Sequence, residues 1–505
     1  MLRLALRRAS LPTLSLSLPA FHVRTLGAVI IYLLLAAFSF LQFTDPDFWW
    51  HLRTGQLIVE TGSIPKTDPF SLTAAGSDWI AHEWLSDVLI YGMESTVGYW
   101  GNVILFTGVA LAALFLMHRL LLRIGVGPRL ALGLLVLGGL MSLPYWTVRP
   151  QAFSWLFTAV FLYTLWLRRL DAKSPLWHLP LLMVLWANLH AGYVIGLLLL
   201  GLWLLALFGE RLLWGRDQDL RVPLLVSLAC LAATAVNPNG LALLAYPLTY
   251  LAPGNASQKL ISEWQSPDFH SPLHWPLAAG IIALALVGIR GQGRNLFGLA
   301  LAVVFTLMTL LSARHQPLLA LVLMVVLGDV LREQWRWART GDSASPVPRG
   351  SSALNWSILA VAVVALALAV GRSPYAQLGR SPLTSGGFDY PVAGADFIRS
   401  SYPDARMFNA YGWGGYLLNK LYPLQRVFID GRADMYGDER VEEYARVARL
   451  RPGWRDVLTK YDIELVLVEK DSPLAAVLPE TGDWRLVFSG PAEAVFVLEP
   501  AQRPE

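Results

Sequence analysis

Long apolar runs recur between residues 26 and 370 of this 505-residue chain, separated by polar stretches. We interpret each run as a helix that crosses the roughly 30 Å of hydrocarbon in a bilayer. The runs lie at about residues 26–43, 101–118, 130–147, 151–167, 176–190, 193–209, 222–236, 273–289, 296–312, 316–331 and 354–370. The pattern therefore predicts an α-helical polytopic membrane protein with about eleven transmembrane helices, spread over a membrane domain from residue 26 to residue 370.

The pattern changes after residue 370. Helical periods at 391–400, 413–421 and 439–450 alternate with strand-like runs at 406–409, 426–429, 465–469, 484–489 and 494–498. This alternation predicts a C-terminal α/β soluble domain over residues 371–505. The stretch 341–352 is rich in Gly, Ser, Pro and Arg, which predicts a flexible loop before the last span.

Basic residues flank the apolar runs unevenly. If residues 1–25 are a cytoplasmic N-terminus leading into an uncleaved signal anchor, nineteen Lys and Arg fall in the inner loops and five in the outer loops before residue 371. Such a bias marks loops that stay in the cytoplasm. Because eleven is an odd number, the soluble domain and the large first loop 44–99 are both predicted to be extracytoplasmic. We expect the protein in the inner (plasma) membrane of a bacterium.

Composition narrows the class further. Apolar residues make up 55% of the chain and charged residues 15%, against about 25% charged in soluble domains, so an ordinary cytosolic enzyme is excluded. The single cysteine, Cys230, excludes an intrachain disulfide and a cysteine-based metal site. The net charge of +4 is explained by the topological bias, so no nucleic-acid partner is expected.

The first outer loop opens with Asp45-Pro46-Asp47, followed by aromatic residues and His51. On a short surface helix, Asp47 and His51 would share one face, which brings a carboxylate and an imidazole together at the lipid boundary. Asp45 and Asp47 are candidate catalytic residues, and their hard oxygen atoms would favour Mg²⁺ or Mn²⁺ if a metal ion is bound. The alternative for Asp45 is a helix cap, with Pro46 at the first helical position.

A second polar stretch, His82-Glu83, lies further along the same loop. It lacks the second histidine of the H-E-x-x-H signature, which excludes a zinc protease. His82 is a candidate catalytic proton carrier or metal ligand, and a neutral hydrogen-bonded histidine is the alternative.

Polar residues recur at the predicted outer ends of the later spans. Ionisable groups at membrane depth are costly and usually face a cavity or a partner, so we expect these ends to converge on one polar cavity. The alternative is that each residue only caps its helix or reaches for the interface. The substrate-binding candidates among them are Arg149, His190, Glu263, Arg314 and His315. Arg149 and Arg314 are the best candidates for phosphate contact, because a guanidinium donates two parallel hydrogen bonds.

Two segments of the soluble domain are further candidates for substrate binding. In residues 408–417, a strand leads through Trp413 and Tyr416 into a helix whose first backbone N–H groups would approach an anionic or sugar ligand. In the second segment a strand ends in Asp430-Gly431-Arg432, which places Asp430 and Arg432 at the strand end where α/β proteins bind ligands. A structural turn, with Asp430 and Arg432 forming an ion pair, is the alternative.

These features resemble the GT-C superfamily of membrane glycosyltransferases, which have many helices, an acidic motif in the first outer loop and, in several branches, a soluble domain after the last span. Asp45-Pro46-Asp47 occupies the place of that motif, so the catalytic acid would carry over to Asp47. Segments 411–416 and 427–431 are similar in layout to the aromatic-glycine region of oligosaccharyltransferase catalytic subunits. The central Asp of that region is absent here, where Gly414 and Gly415 stand, so the likeness does not extend to recognition of an Asn-containing acceptor peptide.

The resemblance implies transfer of a hexosyl or pentosyl group to a glycan or protein acceptor. Nucleotide sugars are made in the cytoplasm and do not cross the bilayer, so an outward site must use a polyprenyl-phosphate-linked sugar donor that arrives through the membrane lipid. Asp47 would deprotonate or orient the acceptor hydroxyl while the phosphate leaves from the opposite face of the anomeric carbon. His51 or His82 would position the base or a divalent ion.

A different class of function stays open: a non-catalytic carrier of lipid-linked glycan, or an assembly subunit of cell-envelope polysaccharide synthesis. A carrier is expected to have paired broken helices in two related halves near the membrane midplane. The sequence has no such symmetry, and its polar residues gather at the outer ends of the spans. These two features favour the transferase.

Overall fold

The computed structural model describes residues 21–40, 45–216, 218–249, 261–290, 295–339, 349–371, 384–385 and 388–499. The predicted N-terminal segment lies almost wholly outside these ranges. Of the predicted flexible loop 341–352, only residues 349–352 are described, and they open a helix rather than a loop.

A helix coincides with each of the eleven predicted apolar runs. These helices are Val23–Ser39, Tyr99–Arg123, Pro128–Ser142, Gln151–Leu170, His178–Leu189, Tyr193–Trp214, Arg221–Ala233, Trp275–Arg290, Leu296–Leu311, Gln316–Gln334 and Arg349–Gly371. Large apolar side chains such as Leu205, Leu212 and Val361 are exposed on their outer faces, as expected of helices surrounded by lipid. The fold is therefore that of a helical membrane domain.

The helices differ in length. Within the described residues, five are long and apolar enough to cross a membrane, and five more are apolar but shorter. The helix Gln151–Leu170 has 20 residues and ends in two arginines. The count of eleven crossings therefore stays a prediction, although every predicted run is helical.

The ends of these helices meet in two separate groups. In the first group, Arg332 donates to the carbonyl of Ile124, and Arg169 pairs with the buried Glu210 at 2.7 Å. Glu210 also accepts the N–H of Leu296 at the start of another helix. All of these residues lie in or beside the loops predicted to be inner, so the basic loops gather at one end of the bundle.

The opposite group contains the predicted outer ends. The Thr147 hydroxyl donates to Asp45 at 2.8 Å, and Arg149 donates to Glu263 at 3.0 Å. Ser312 donates to the backbone carbonyl of Glu263 at 3.2 Å. Residues of four different connections between helices therefore meet at this end, as the alternation of inner and outer loops requires.

The first loop forms two helices, Phe48–Thr61 and Trp84–Thr96, that pack on each other. Gly55 lies so close to the second helix that a Cβ there would collide with the backbone carbonyl of Asp87. A short helix, Ala242–Thr249, lies in a later outer connection. The loop is thus a structured layer over the helix ends of this second group.

The C-terminal domain is an α/β layer, as predicted. Its main sheet has four strands in the order Met407–Asn409, Leu465–Glu469, Glu493–Leu498 and Trp484–Ser489, of which the first pair is parallel and the others are antiparallel. Two very short strands, Thr384–Ser385 and Phe388–Asp389, pair separately. The helices are Val392–Ser401, Gly414–Leu421, Ala433–Ala448, Trp454–Lys460 and Pro473–Val477.

The predicted strand 426–429 is wrong. Val427 does not join the sheet; its carbonyl accepts the N–H of Leu72 at 2.7 Å, and its N–H donates to the carbonyl of Phe70. The Thr73 hydroxyl donates to the carbonyl of Phe428 at 2.6 Å. The apolar run reads as a strand because it is buried, but its backbone partners lie in the first outer loop and fix the soluble domain onto that loop.

Candidate functional site

A cavity of about 980 Å³ lies where the first loop, the outer helix ends and the C-terminal domain meet. Most of the candidate residues line it: Asp45, Asp47, His51, His82, Arg149, His190, Glu263, Arg314, His315 and Arg432. The C-terminal domain contributes backbone and side chains of residues 411–412 and 431–434. The Asp-Pro-Asp segment and the C-terminal domain therefore face one shared cavity.

The turn at Asp45 sets the direction of the Asp47 side chain. One oxygen of Asp45 accepts the N–H of Asp47 at 3.0 Å, the other accepts the hydroxyl of Thr147 at 2.8 Å, and the helix begins at Phe48. Asp45 therefore closes a local turn before the helix, instead of capping the first helical turn from a position next to Pro46. Both of its carboxylate oxygens are engaged, whereas Asp47 is left facing the cavity.

Arg149 joins the acidic residues of this wall. Its Nη2 lies 2.5 Å from Oδ2 of Asp47, its Nη1 lies 3.0 Å from Oε2 of Glu263, and its Nε lies 3.5 Å from Oδ2 of Asp45. Arg149 sits in the turn before the helix Gln151–Leu170. We call Asp45, Asp47, Arg149 and Glu263 the Asp47 cluster.

The Asp47 cluster has three carboxylates and one guanidinium, so its charges do not balance when all three acids are ionised. Burial raises the pKa of Asp47 to about 7; Arg149 acts in the opposite direction, while Asp45 and Glu263 raise it. Burial likewise raises the pKa of Asp45 against the effect of Arg149. Burial also opposes ionisation of Glu263, but Arg149 and Arg314 outweigh it and lower that pKa. Asp47 can therefore exchange a proton near neutral pH.

The residues do not fit the Mg²⁺ or Mn²⁺ site predicted at Asp45 and Asp47. The oxygens of Asp45 already accept hydrogen bonds from Thr147 and Asp47, and the guanidinium of Arg149 occupies the point on which the carboxylates converge. Within the described ranges, no group of three or more His, Cys, Asp or Glu residues is arranged to hold a metal ion.

The predicted pairing of His51 with Asp47 is wrong. Nδ1 of His51 is hydrogen-bonded to Asp87 at 2.6 Å, and the two residues come from the two packed helices of the first loop. Its Nε2 lies 3.8 Å from Glu83. Helical spacing placed His51 one turn beyond Asp47, but the side chain points to the neighbouring helix. Burial lowers the pKa of His51 and raises that of Asp87, so the imidazole is neutral at neutral pH.

Glu83 lies among three histidines on another wall of the cavity. Besides His51, Nε2 of His190 lies 3.4 Å and Nε2 of His82 lies 3.7 Å from its carboxylate. The backbone N–H of Gly192 donates to Nδ1 of His190, which leaves the proton of a neutral ring on Nε2, toward Glu83. Nδ1 of His82 is 3.2 Å from the carbonyl of Ile80, the hydrogen-bonded arrangement given above as the alternative for this residue.

Arg314 is placed differently from Arg149. Its guanidinium stacks on the ring of Trp264 at 4.2 Å, and within the described residues no carboxylate forms an ion pair with it. His315 follows it in the turn Ala313–His315 and also lines the cavity. Arg314 therefore presents unused hydrogen-bond donors to the cavity.

Three candidates of the C-terminal domain lie behind the cavity wall. Trp413, Tyr416 and Asp430 are buried and do not line the cavity. Tyr416 packs against Trp49 at 5.3 Å, so the aromatic residues of this segment hold the domain against the first loop rather than facing the cavity. Sequence periodicity could not separate these roles, because an interface inside the protein and a ligand site both use aromatic residues and glycines.

Arg432 forms the ion pair with Asp430 that was the alternative for this turn. Its guanidinium donates to Asp430 at 2.6 Å and to Asp68 at 2.8 Å, and it lies beside the rings of Phe70 and Trp79. Only 1% of the side chain is exposed. We call Arg432, Asp430 and Asp68 the Arg432 cluster. The pair is therefore a buried link between the first loop and the C-terminal domain, and Arg432 only borders the cavity.

Gly431 was not a candidate, yet it touches the central acid. A Cβ at this position would collide with Oδ1 of Asp47. The only signal in the sequence is the glycine between two charged residues. This glycine allows the backbone of the C-terminal domain to close over Asp47.

Several solved structures have a similar fold. One is the archaeal oligosaccharyltransferase AglB from Archaeoglobus fulgidus, with an inhibitory peptide and a dolichol-phosphate: TM-score 0.58, 11% identity, 94% of this chain and 74% of that chain covered. Another is ArnT from Cupriavidus metallidurans in the apo state: TM-score 0.50, 15% identity, 94% of this chain and 97% of that chain covered. No protein-family model and no curated protein matches the chain. The chain therefore has the fold of the GT-C membrane glycosyltransferases.

Proposed function

We propose that this protein is an integral membrane glycosyltransferase that takes a sugar from a polyprenyl-phosphate carrier and transfers it to an acceptor on the outer face of the membrane. The observation that carries the proposal is Asp47, a carboxylate poised near neutral pH in a large cavity between the membrane domain and the C-terminal domain. The likeness of fold to AglB and ArnT agrees with it.

The cavity has a polar and an apolar wall. Its volume of about 980 Å³ lies near the upper end of the roughly 300–1,000 Å³ of small-molecule sites. Leu311 and Leu318 line it from the helix ends, and Leu311 is 74% exposed on the outer surface of the bundle. An apolar path therefore leads from the lipid-facing surface toward the polar groups, which suits a donor with a prenyl chain.

Arg314 is the proposed contact for the donor phosphate. It lies three residues beyond Leu311, and within the described residues its guanidinium has no ion-pair partner, whereas that of Arg149 is directed at three carboxylates. A guanidinium recognises a phosphate through parallel, charge-assisted hydrogen bonds. Of the two arginines that the sequence suggested, only Arg314 is free for this task.

Asp47 is the proposed general base. It accepts the proton of the acceptor hydroxyl as the acceptor oxygen bonds to the anomeric carbon; the bond from that carbon to the phosphate oxygen breaks, and the configuration inverts. Arg314 stabilises the charge that the leaving phosphate gains. General-base assistance contributes about 10²- to 10⁴-fold to the rate. A base with a pKa of about 7 is well matched to this task.

An outward-facing site is part of the proposal. The separation of the helix ends into a basic group and an acidic, cavity-lining group supports it. Single cysteines at the exposed positions Asp78 and Glu480, in a Cys230→Ala background, should both be labelled from outside intact cells. Asp430 is unsuitable for this purpose because it is buried. Labelling only from the cytoplasmic side would show that the orientation is opposite to the proposed one.

The test of the function is transfer in proteoliposomes that contain the full-length protein and a panel of labelled polyprenyl-phosphate hexoses and pentoses. Release of the sugar to an added glycan or protein acceptor, or to water, is expected for at least one donor. Movement of the labelled lipid between leaflets without any cleavage of the sugar–phosphate bond would instead support the carrier and contradict the transferase.

A further inference from the structure

One charged group of the cavity, Arg149, has no direct task in the proposed transfer. Its three donor positions are directed at three carboxylates from two parts of the chain: the start of the first loop supplies Asp45 and Asp47, and a later loop supplies Glu263. The guanidinium is 19% exposed, and the carboxylates are exposed by 10–21%. The group is therefore enclosed on most sides.

The charges around Arg149 are of the kind that proteins also bring together around a hard cation. Magnesium and manganese ions are held by a few carboxylate oxygens that converge from different segments on one point. Here three carboxylates lie against three different nitrogens of one guanidinium, a permanently charged side chain of the protein itself. The hydroxyl of Thr147 and the N–H of Asp47 also donate to the Asp45 carboxylate, so each of its two oxygens has a donor from the protein.

We propose that Arg149 takes the place of a divalent cation in this protein, so that a guanidinium supplied by the chain holds Asp47 and Glu263 in position and no metal ion is needed between them. Arg149 is then a positioning residue that acts through Asp47. That sugar transfer needs no metal ion rests on the proposed function. That Arg149 occupies the position of a cation does not.

The proposal predicts a gain of metal binding when the side chain is removed. Arg149→Ala leaves three carboxylates around an empty volume, and this variant should bind one Mn²⁺. Binding should be lost again in the double variant Arg149→Ala/Glu263→Gln, which removes one of the three carboxylates. The matched control is Arg149→Lys, because a tethered ammonium still fills the centre and should prevent Mn²⁺ from binding.

Titration with Mn²⁺ followed by electron paramagnetic resonance measures this directly on the full chain in nanodiscs. The unmodified protein and Arg149→Lys are expected to have no Mn²⁺ site that depends on Glu263. Arg149→Ala is expected to have one. A Mn²⁺ site in the unmodified protein that Glu263→Gln abolishes would overturn the proposal. Failure of a folded Arg149→Ala to bind Mn²⁺ would also overturn it.

The unmodified protein gives a second measurement that needs no substitution at Arg149. Its thermal unfolding should not change when EDTA replaces Mn²⁺ in the buffer, and a loss of stability in EDTA that Glu263→Gln removes would contradict the proposal. Both measurements are made without sugar transfer. If the protein transfers no sugar, both measurements still stand. If the metal-binding results contradict the role of Arg149, the assignment of Asp47 as the base is still tested separately by Asp47→Asn.

Discussion

The Asp47 cluster and the Arg432 cluster use the same chemistry in two surroundings. Each places one guanidinium among carboxylates from distant parts of the chain. Arg432 has two carboxylate partners, 1% exposure and two aromatic rings around it, whereas Arg149 has three carboxylate partners, 19% exposure and the cavity in front of it. The first arrangement is closed to water, and the second has room for a ligand.

The difference separates a structural ion pair from a chemical one. Arg432 and its two carboxylate partners are almost fully buried and hydrogen-bonded to one another, so this cluster is a link between the first loop and the C-terminal domain. Three carboxylates lie around the single guanidinium of Arg149; burial above all, and then the neighbouring Asp45 and Glu263, raise the pKa of Asp47 to about 7 against the effect of Arg149. The number of carboxylates and the exposure to the cavity, rather than residue type, therefore distinguish the two clusters.

The largest effect on stability is expected at the Arg432 cluster. Arg432→Ala leaves Asp68 and Asp430 buried and unpaired, which costs about 3–5 kcal/mol in comparable buried pairs. The release of the C-terminal domain from the first loop should appear in thermal unfolding and in limited proteolysis of intact proteoliposomes. Arg149→Ala should destabilise the protein less, because its carboxylates face the cavity. An equal or larger loss for Arg149→Ala would remove the distinction between the clusters.

Gly431→Ala should move Asp47 without changing any charge in the Asp47 cluster, so it separates the effect of position from the effect of charge. The added methyl group would collide with Oδ1 of Asp47, and a displacement of about 1 Å in an active site lowers the rate about a hundredfold. The measurement is sugar transfer under single-turnover conditions. Gly92→Ala is the matched control, because a Cβ at that helical position meets no neighbouring atom. Normal transfer by Gly431→Ala would show that the position of Asp47 is unimportant.

Arg314→Gln should lower the efficiency with which the lipid-linked donor reacts. Removing a charge-assisted hydrogen bond costs about 1.5–3 kcal/mol, so kcat/KM for the lipid-linked donor should fall about 10- to 100-fold. Arg314→Lys keeps the charge but loses the planar pair of donors, and it should lose less. An unchanged kcat/KM in Arg314→Gln would place the phosphate elsewhere in the cavity.

The pH dependence is the smallest effect and follows from the same excess of acid. Asp47 acts as a base only when it is ionised, so transfer should fall about tenfold for each pH unit below about 7 and level off above it. Arg149 lowers the pKa of Asp47, so Arg149→Gln should move the midpoint of the profile to higher pH. A midpoint that moves to lower pH, or does not move, would contradict the assignment.

The elements of the membrane domain could be predicted from the sequence, because hydrophobic length determines each helix locally. The convergence of Asp47, Arg149 and Glu263 could be predicted only as far as their grouping at one end of the helices, since positive-inside bias sorts loops into two groups and gives no distances. Val427 was misassigned to a strand because its partner Ser71 lies in the first loop, far away in the sequence.

The side-chain contacts within the first loop also could not be predicted from the sequence. Helical spacing correctly places His51 one turn beyond Asp47, but it carries no information about the neighbouring helix that supplies Asp87. The aromatic residues Trp413 and Tyr416 have the composition of a ligand site, and they are buried against other parts of the same chain. Contacts between distant segments decide such roles, and a single sequence does not encode them locally.

Sugar transfer by Asp47→Asn is the most direct measurement of whether Asp47 is the general base. The substitution keeps the size of the side chain and removes the base, so transfer should fall about 10²- to 10⁴-fold while thermal unfolding stays close to that of the unmodified protein. Asp78→Asn, an exposed acid in the same loop, should keep full activity. Transfer by Asp47→Asn at the rate of the unmodified protein would contradict the account.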